Sequence, residues 1–467
     1  MKNDYDFIVI GGGSAGYAAA TTAVKLGLSV AVIEGGREVG GLCILRGCMP
    51  SKTMIESANR FVTLRRAAEF GLRAENISAS GSEIQARKKK LVAGFADYRR
   101  QQLEGGAFDF IRGMASFVDS HTIEVAMENN VRKQIAARTF LIATGSTTQM
   151  LDIPGLAETG FLDSDAVLDS TDIPQSVIVL GGGATAMEFA HYYAGLGAQV
   201  TIVQRSAQVL KDVDADVAGA LVAAFERRGM RIFLETKLTH VGKHNEKKRV
   251  TFHHDGVEKS VDADEIICAL GRMPHLSGLQ LERAGVTLRN GRLECNAHQQ
   301  TNVAHIFAAG DAAGLHEIVH IAIQQAETAA DNAARLVQAS SQPLAGTDYR
   351  LKLFVVFSEP QIASVGASER ELQHAGVPFV SAKYPFDDHG KSMVIGETEG
   401  FVKLIASERT REILGAAVVG PHASDLIHEI VVAMHFHATV GDLARIPHYH
   451  PTLSEIWTYP AEELLLR

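Results

Sequence analysis

The chain has 467 residues, which at roughly 150 residues per domain gives about three domains. Hydrophobic residues make up 46% and charged residues 21%, a globular composition that excludes disorder and low complexity. A net charge of −9 with a single basic run argues against a general nucleic-acid binder, and four cysteines exclude a disulfide scaffold. The start, MKNDYDFIVIGGG, lacks a basic segment followed by a long apolar run, so no signal peptide is expected. No stretch approaches the roughly 18 apolar residues of a membrane span. The expectation is a cytoplasmic chain in a reducing compartment, where a disulfide that does form is a working redox pair.

Tyr5 to Ile10 is a short apolar run ending in glycines, the pattern of a buried parallel strand. Ala15 to Leu26 reads as a helix closed by Gly27, and Ser29 to Ile33 as a second strand. Glu56 to about Gln102 reads as charged helix, with Arg87 to Lys90 as its solvated face, and Ala115 to Ile142 as short alternating strands. Pro154-Gly155 marks a boundary. The first pattern then recurs: strand Val177 to Leu180, glycine turn, helix to about Leu196, strand Gln199 to Val203. Glu265 to Leu270 reads as a closing strand, with Gly271 to Pro274 turning out of it. Beyond Gln342-Pro343 come strands Leu353 to Phe357 and Phe401 to Ile405 and a helix around Ala423 to Phe436, a separate C-terminal domain.

Gly11-x-Gly13-x-x-Gly16 follows a strand and opens a helix. The first glycine makes the tight turn, the second lets backbone approach a pyrophosphate, and the third permits close helix–strand packing. Glu34, at the end of the next strand, can accept hydrogen bonds from ribose hydroxyls. The second turn, Gly181-x-Gly183-x-x-Ala186, leads to a strand ending in Gln204-Arg205. No acid stands there for a 2′-hydroxyl, and an Arg suits a 2′-phosphate, so NADPH is favoured over NADH.

Cys43 and Cys48 stand in GGLCILRGCMPSK. Five residues of ideal helix advance about 7.5 Å, beyond disulfide reach, so a pair needs a break that Gly47 and Pro50 suit. Helix N-terminal amides near Pro50 would stabilise a thiolate. Three readings stay open on the residues alone: a reducible redox pair, metal ligands, or two inert buried thiols. Zinc is disfavoured because no second close Cys/His pair accompanies them, and no metal site is expected. Cys268, in a strand-like run, and Cys295, in a polar strand, read as structural.

With these motifs in place the chain resembles the class I pyridine nucleotide-disulfide oxidoreductases, the family of dihydrolipoamide dehydrogenase, glutathione reductase and mercuric reductase. GGLCILRGCMPSK, ATGS (Ala143 to Ser146), ALGRMP (Ala269 to Pro274), IFAAGD (Ile306 to Asp311) and HPTLSE (His450 to Glu455) occur in the family's order, across essentially the whole chain. The resemblance implies an α/β fold: two Rossmann-like dinucleotide-binding domains plus a C-terminal α+β dimerisation domain. The expected spans are 1–150 for the first part of the FAD domain, 151–272 for the NAD(P) domain, 273–343 completing the FAD site, and 344–467 for the interface. It implies FAD, a nicotinamide coenzyme and a homodimer with shared active sites. Electrons would pass between NAD(P)H, flavin, the Cys43–Cys48 disulfide and a small-molecule or protein-bound disulfide. Cys48 matches the flavin-proximal thiolate and Cys43 the interchange thiol. Lys52 and Glu188 match the ion pair beside the flavin, and His450, oriented by Glu455, matches the base serving the interchange thiol. Ser14, Ala15, Gly41, Gly113, Ala115, Thr144, Gly145, Asp311 and His320 match further FAD positions, and Gly271 a nicotinamide-side one. His448 is the nearby alternative, but the Pro-Thr that follows His450 places the motif there.

Three departures bear on the substrate. Leu45 and Arg46 replace the usual Asn and small apolar residue between the cysteines; Arg46 could favour a thiolate, attract an acidic substrate, or simply face solvent. Ala184 replaces the tyrosine gate of glutathione reductases, and the chain lacks a terminal Cys pair and a heavy-metal-binding domain. Dihydrolipoamide dehydrogenases usually carry the acid that is missing at Gln204-Arg205. The leading expectation is a dihydrolipoamide dehydrogenase-like NAD(P)H:disulfide reductase. Rivals are a mercuric- or glutathione-reductase-like enzyme, and a flavin diaphorase, transhydrogenase or quinone reductase with an idle dithiol.

Overall fold

The computed structural model describes residues 4–127, 131–149, 151–314 and 316–467; Met1 and Met150, the ends of the first expected span, lie outside them. The chain divides into two compact units, each discontinuous in sequence. One comprises Met1–Thr53, Ala86–Gln149 and Arg272–Asp348; the other comprises Met54–Gln85, Met150–Gly271 and Tyr349–Arg467.

In the first unit a seven-stranded sheet runs Asp109–Arg112, Val30–Glu34, Tyr5–Ile10, Arg132–Ile142, Thr122–Ala126, Met114–Asp119, with Ile306–Ala308 also paired to Arg132–Ile142. The strands from Asp109–Arg112 to Arg132–Ile142, and Ile306–Ala308, pair in parallel, and the last two add antiparallel. Successive strand residues face opposite ways, so Phe7 and Val9 enter one core while Ile8 and Ile10 enter another. Fully apolar strands arise because both faces are covered. On one face lie the helices Ser14–Lys25 and Val319–Val337, whose facing alanines, Ala15, Ala19 and Ala23 with Ala326, Ala329 and Ala333, allow close packing.

The second unit repeats the device with a five-stranded parallel sheet ordered Arg231–Phe233, Gln199–Val203, Ser176–Leu180, Glu265–Cys268, Leu162–Asp163. It also holds a three-stranded antiparallel sheet (Lys237–His244, Lys247–His254, Val257–Ala263). Its C-terminal part is a five-stranded antiparallel sheet, Leu353–Val356, Gln361–Gly366, Ile413–Gly420, Phe401–Ser407, Phe379–Pro385, under the helices Ala423–His435 and Thr458–Leu466. This is the expected α/β class with two Rossmann-like sheets and a C-terminal α+β domain. Lys403, fully buried, places its ammonium 2.8 Å from Asp214, 2.9 Å from Asp216 and 3.2 Å from Glu369. Those three acids alone would be a cation site; the lysine fills it.

Four local expectations are corrected. The stretch from Glu56 to Gln102 is two helices, Cys48–Arg65 and Gly81–Glu104, because Gly71 takes a left-handed φ of 73° and a Cβ on Gly81 would sit 1.9 Å from the Thr171 carbonyl oxygen. Arg87, Lys89 and Lys90 are exposed, but Lys88 is buried, so the basic run is not wholly a solvated face. Arg272–Pro274 is a strand, because Ser146–Thr148 supplies an antiparallel partner. Cys295 follows the strand Arg292–Leu293 instead of lying in one.

Candidate active site

Gly11 has φ +111°, and a Cβ there would lie 2.3 Å from the Ala143 carbonyl oxygen. A Cβ on Gly16 would meet the Gly11 oxygen at 1.8 Å, so only glycine lets the helix Ser14–Lys25 start this close to the strand. Its N-cap, Gly13, has no side chain to bond the free N–H groups of the first turn, which leaves them for an anion. Gly41 approaches so closely that a Cβ on it would stand 2.5 Å from the Gly13 Cα. Glu34 is held across this turn: its Oε2 accepts the Gly12 N–H at 2.8 Å and its Oε1 the Gly36 N–H at 2.6 Å.

The other matched positions of this unit gather nearby. Gly113 donates its N–H to the Glu34 carbonyl at 3.0 Å, while Ala115 is packed into the core. Thr144 donates to the His275 carbonyl at 2.6 Å, and Gly145 faces open space at φ +73°. Ser146 donates to Asp311 at 2.5 Å and accepts from Arg272 at 2.8 Å. Gly310, beside Asp311, sits against Ala15 and gives its N–H to the buried Gln325 side chain at 2.8 Å. His320 is exposed in the first turn of Val319–Val337. Glycine backbones that any side chain would fill, an uncapped helix start and a carboxylate at the strand end together fit the pyrophosphate and ribose of an adenine dinucleotide.

Cys43 lies in the short helix Gly41–Leu45 and Cys48 opens the helix Cys48–Arg65. The break falls at Arg46-Gly47, while Pro50 is tolerated inside the first helical turn, where its missing N–H costs nothing. Neither cysteine is disulfide-bonded. The Cys43 thiol is pushed well above the ordinary thiol range by its hydrogen bond with Cys48 and by burial, while Lys52 pulls it down. That shift favours the protonated form at Cys43, while the place of Cys48 at a helix N-terminus suits negative charge. Arg46 pairs with Glu38 at 3.3 Å and is more than a third exposed, so it serves that surface pair and not the thiols. A cation that sequence reading missed is Arg99, whose hold on its proton is weakened by burial, with Tyr17 and Cys43 opposing that shift. Its guanidinium carbon stands 4.4 Å over the Tyr17 ring, with Nε and Nη1 buried and unbonded. No spacing signal marks it within Tyr98-Arg99-Arg100. Cys268 and Cys295 are each pushed up to about 11, burial being the main cause, and are inert thiols.

In the second unit Gly181 repeats the tight turn, φ +119° and 2.3 Å from Cβ to the Ala269 oxygen. Gly183 caps the helix Ala184–Gly195 without a side chain, and Ala186 is fully buried. Gln204 folds back over Gly182, its amide accepting only the Arg205 N–H at 3.2 Å, and Arg205 is exposed. Gly271 has φ +117° after the strand Glu265–Cys268. Glu188 is buried on the helix Ala184–Gly195 and accepts the Phe357 N–H at 3.1 Å, whereas Lys52 belongs to the first unit.

His450 and Glu455 come together as expected: Nδ1 lies 3.0 Å from Oε2, with the imidazole 78% exposed and the carboxylate 11% exposed. A carboxylate only accepts, so the ring proton sits on Nδ1 and Nε2 carries none. The turn Ser454–Trp457 carrying Glu455 is anchored by Trp457, fully buried, with its indole N–H on the Leu426 carbonyl at 3.1 Å. His448, the alternative, is engaged with Glu429 at 2.6 Å.

Among the described residues no helix is long and apolar enough to cross a membrane. The family model described as pyridine nucleotide-disulphide oxidoreductase matches residues 5–326, and its dimerisation domain matches residues 354–461. A dihydrolipoyl dehydrogenase of Chlamydia trachomatis is 34% identical over 100% of this chain and 97% of its own. A mercuric reductase of Staphylococcus aureus is 32% identical over 93% of this chain and 77% of its own. The crystal structure of LpdA from Mycobacterium tuberculosis superposes with a TM-score of 0.87 at 30% identity, covering 98% of this chain and 99% of that one. With the dinucleotide turns and the cysteine segment this is decisive: the chain belongs to the pyridine nucleotide-disulphide oxidoreductases and is an FAD-dependent enzyme.

Proposed function

We propose that this enzyme is a cytoplasmic NADPH-linked disulfide reductase, close in mechanism to dihydrolipoyl dehydrogenase, with Cys43–Cys48 as its redox pair. The observation that carries the reading is the cysteine geometry: two thiols in hydrogen-bond contact across a helix break, one at a helix start, beside a dinucleotide cradle. Bound FAD supplies electron transfer between the nicotinamide and the disulfide. Glu34, the glycines of the first turn with Ser14, Ala15 and Gly41, Gly113, Ala115, Thr144, Gly145, Asp311 and His320 would hold it, with spans 1–150 and 273–343 forming that domain. Gly181, Gly183, Ala186, Gln204, Arg205 and Gly271 in span 151–272 would take the nicotinamide coenzyme. The neutral Gln204 beside an exposed Arg205 supports NADPH. Lys52 and Glu188 are assigned the hydride-side ion pair.

In the reductive direction the reduced enzyme holds two thiols. His450 Nε2 takes the Cys43 proton, and the thiolate so formed attacks the substrate disulfide, forming a mixed disulfide and releasing one thiolate, which takes that proton back from the His450 imidazolium. Cys48 then loses its proton to His450 and attacks the Cys43 sulfur, restoring the enzyme disulfide and releasing the second thiolate, which takes that proton from the imidazolium, so two electrons and two protons reach the substrate. An exposed His450, with Val432, Phe436, Ile446 and Tyr449 also exposed on span 344–467, supports a homodimer in which the dyad of one copy serves the cysteines of the other. An anaerobic titration of the holoenzyme tests this reading. One equivalent of NADPH should yield two alkylatable thiols and a long-wavelength thiolate–flavin band, both lost in Cys43→Ser/Cys48→Ser. Flavin bleaching without new thiols would overturn the redox pair, and tighter saturation by NADH would overturn the coenzyme preference.

A further inference from the structure

Glu455 has two oxygens, and the His450 bond uses one. Facing the other is His389, fully buried, its Nε2 3.5 Å from Oε1. His389 is the N-cap of the short helix Gly390–Ile395, and its Nδ1 lies 2.8 Å from the hydroxyl of Ser392, itself fully buried. Nε2 is buried and makes no hydrogen bond, its approach to Oε1 being a 3.5 Å contact. A buried polar atom without a partner is costly, and here it is turned toward a carboxylate that also orients a catalytic base. The tautomer follows from the partners. A carboxylate demands a proton on Nε2, and Ser392 then donates to Nδ1.

We propose that His389 is a positioning residue for the Glu455–His450 pair: a second imidazole donor that shares the Glu455 charge and sets how tightly His450 holds its proton. The inference rests on the reading of His450 as the base. A carboxylate facing two imidazole N–H groups is a weaker acceptor for each, so removing His389 should let Glu455 hold the His450 proton more tightly. Burial pushes the His389 ring toward its neutral form, while Glu455 opposes that shift. The other groups facing it do not titrate with it. Tyr459 packs edge-on to the His389 ring at 6.2 Å and stacks at 4.1 Å on Tyr384, which donates to Asp388 at 3.0 Å. Both phenols are held above their ordinary range, Tyr384 at about 12, by burial and nearby carboxylates.

The test titrates His450 in oxidised holoenzyme, where no enzyme thiol interferes. Protein labelled with ¹³C at histidine Cε1 is followed by NMR across pH 5 to 9, with the His450 signal assigned by its loss in His450→Gln. His389→Leu should raise the His450 midpoint by about one pH unit. His389→Gln, which keeps a neutral N–H donor, should restore it, and the acid limb of kcat/KM for dihydrolipoamide oxidation should move in step. Ser392→Ala, which frees the other tautomer, should give a smaller shift of the same sign and serves if His389→Leu does not fold. Midpoints equal to wild type in His389→Leu, or in Ser392→Ala if that is the folded variant, would overturn the proposal. If His450→Gln keeps full disulfide turnover, the reading of His450 as the base fails instead, whatever the titration shows.

Discussion

The two glycine turns of this chain are built alike and finished differently. Gly11 and Gly181 each bring a would-be Cβ to 2.3 Å from a carbonyl oxygen, and Gly13 and Gly183 each start a helix with no side-chain cap. At the third position Gly16 stands where a Cβ would lie 1.8 Å from backbone oxygen, while Ala186 is accommodated with its methyl fully buried. At the strand end Glu34 takes two backbone N–H bonds, and Gln204 only one, beside an exposed Arg205. The turn is a shared backbone device that presents N–H groups to a pyrophosphate. In the proposed reading the identity of the nucleotide is set at the strand end, where one side chain would meet the ribose.

The sharpest way to break the comparison is the third position. Gly16→Ala is expected to abolish FAD retention or folding, because the clash is with backbone, whereas Ala186→Gly should cost only about 1 kcal/mol. Flavin content and thermal unfolding of the two variants check this. Next, the second unit depends on buried charge: Lys403→Met strands Asp214, Asp216 and Glu369 and should cost about 3–5 kcal/mol in denaturant unfolding. At the strand ends, Glu34→Ala should weaken FAD retention about tenfold or more, read by flavin release on dialysis. Arg205→Leu should lower kcat/KM for NADPH by about tenfold or more and leave NADH within about twofold; equal loss for both would remove the 2′-phosphate argument.

Acid gives the smallest effect. The Asp216 carboxyl is pushed up by burial, but Lys383 and Lys403 outweigh this and hold it below its ordinary 3.8. A depressed folded value means that its contribution is fully present above pH 4 and is lost as pH falls through the folded value. Wild-type stability should therefore decline below pH 4, and Lys403→Met should show a shallower decline.

Strand–turn–helix order, both glycine fingerprints and the cysteine segment were legible because each is a local pattern whose steric demand falls on the residues that carry it. The helix break after Arg65 was also legible, in Gly71 and the Ser-rich run before Gly81, but the charged flanks on either side masked it. The strand Arg272–Pro274 was not, since its hydrogen bonds come from Ser146–Thr148, far away in sequence. Lys88 looked like one more member of a basic run, and only packing shows that it is buried.

The site divides the same way. The cysteine segment and the acid Glu34 were legible in the sequence as local patterns, and the dyad His450–Glu455 was implied by the family resemblance. Tertiary structure decided the partners of the cations around the cysteine segment, turning Arg46 to Glu38 and setting Arg99, from the helix Gly81–Glu104, over the Tyr17 ring. It also decided that Glu455 has a second imidazole before it, since His389 reaches it across the C-terminal domain. Electrostatic partnership depends on distance through space, and a chain's own order records distance only over a few residues.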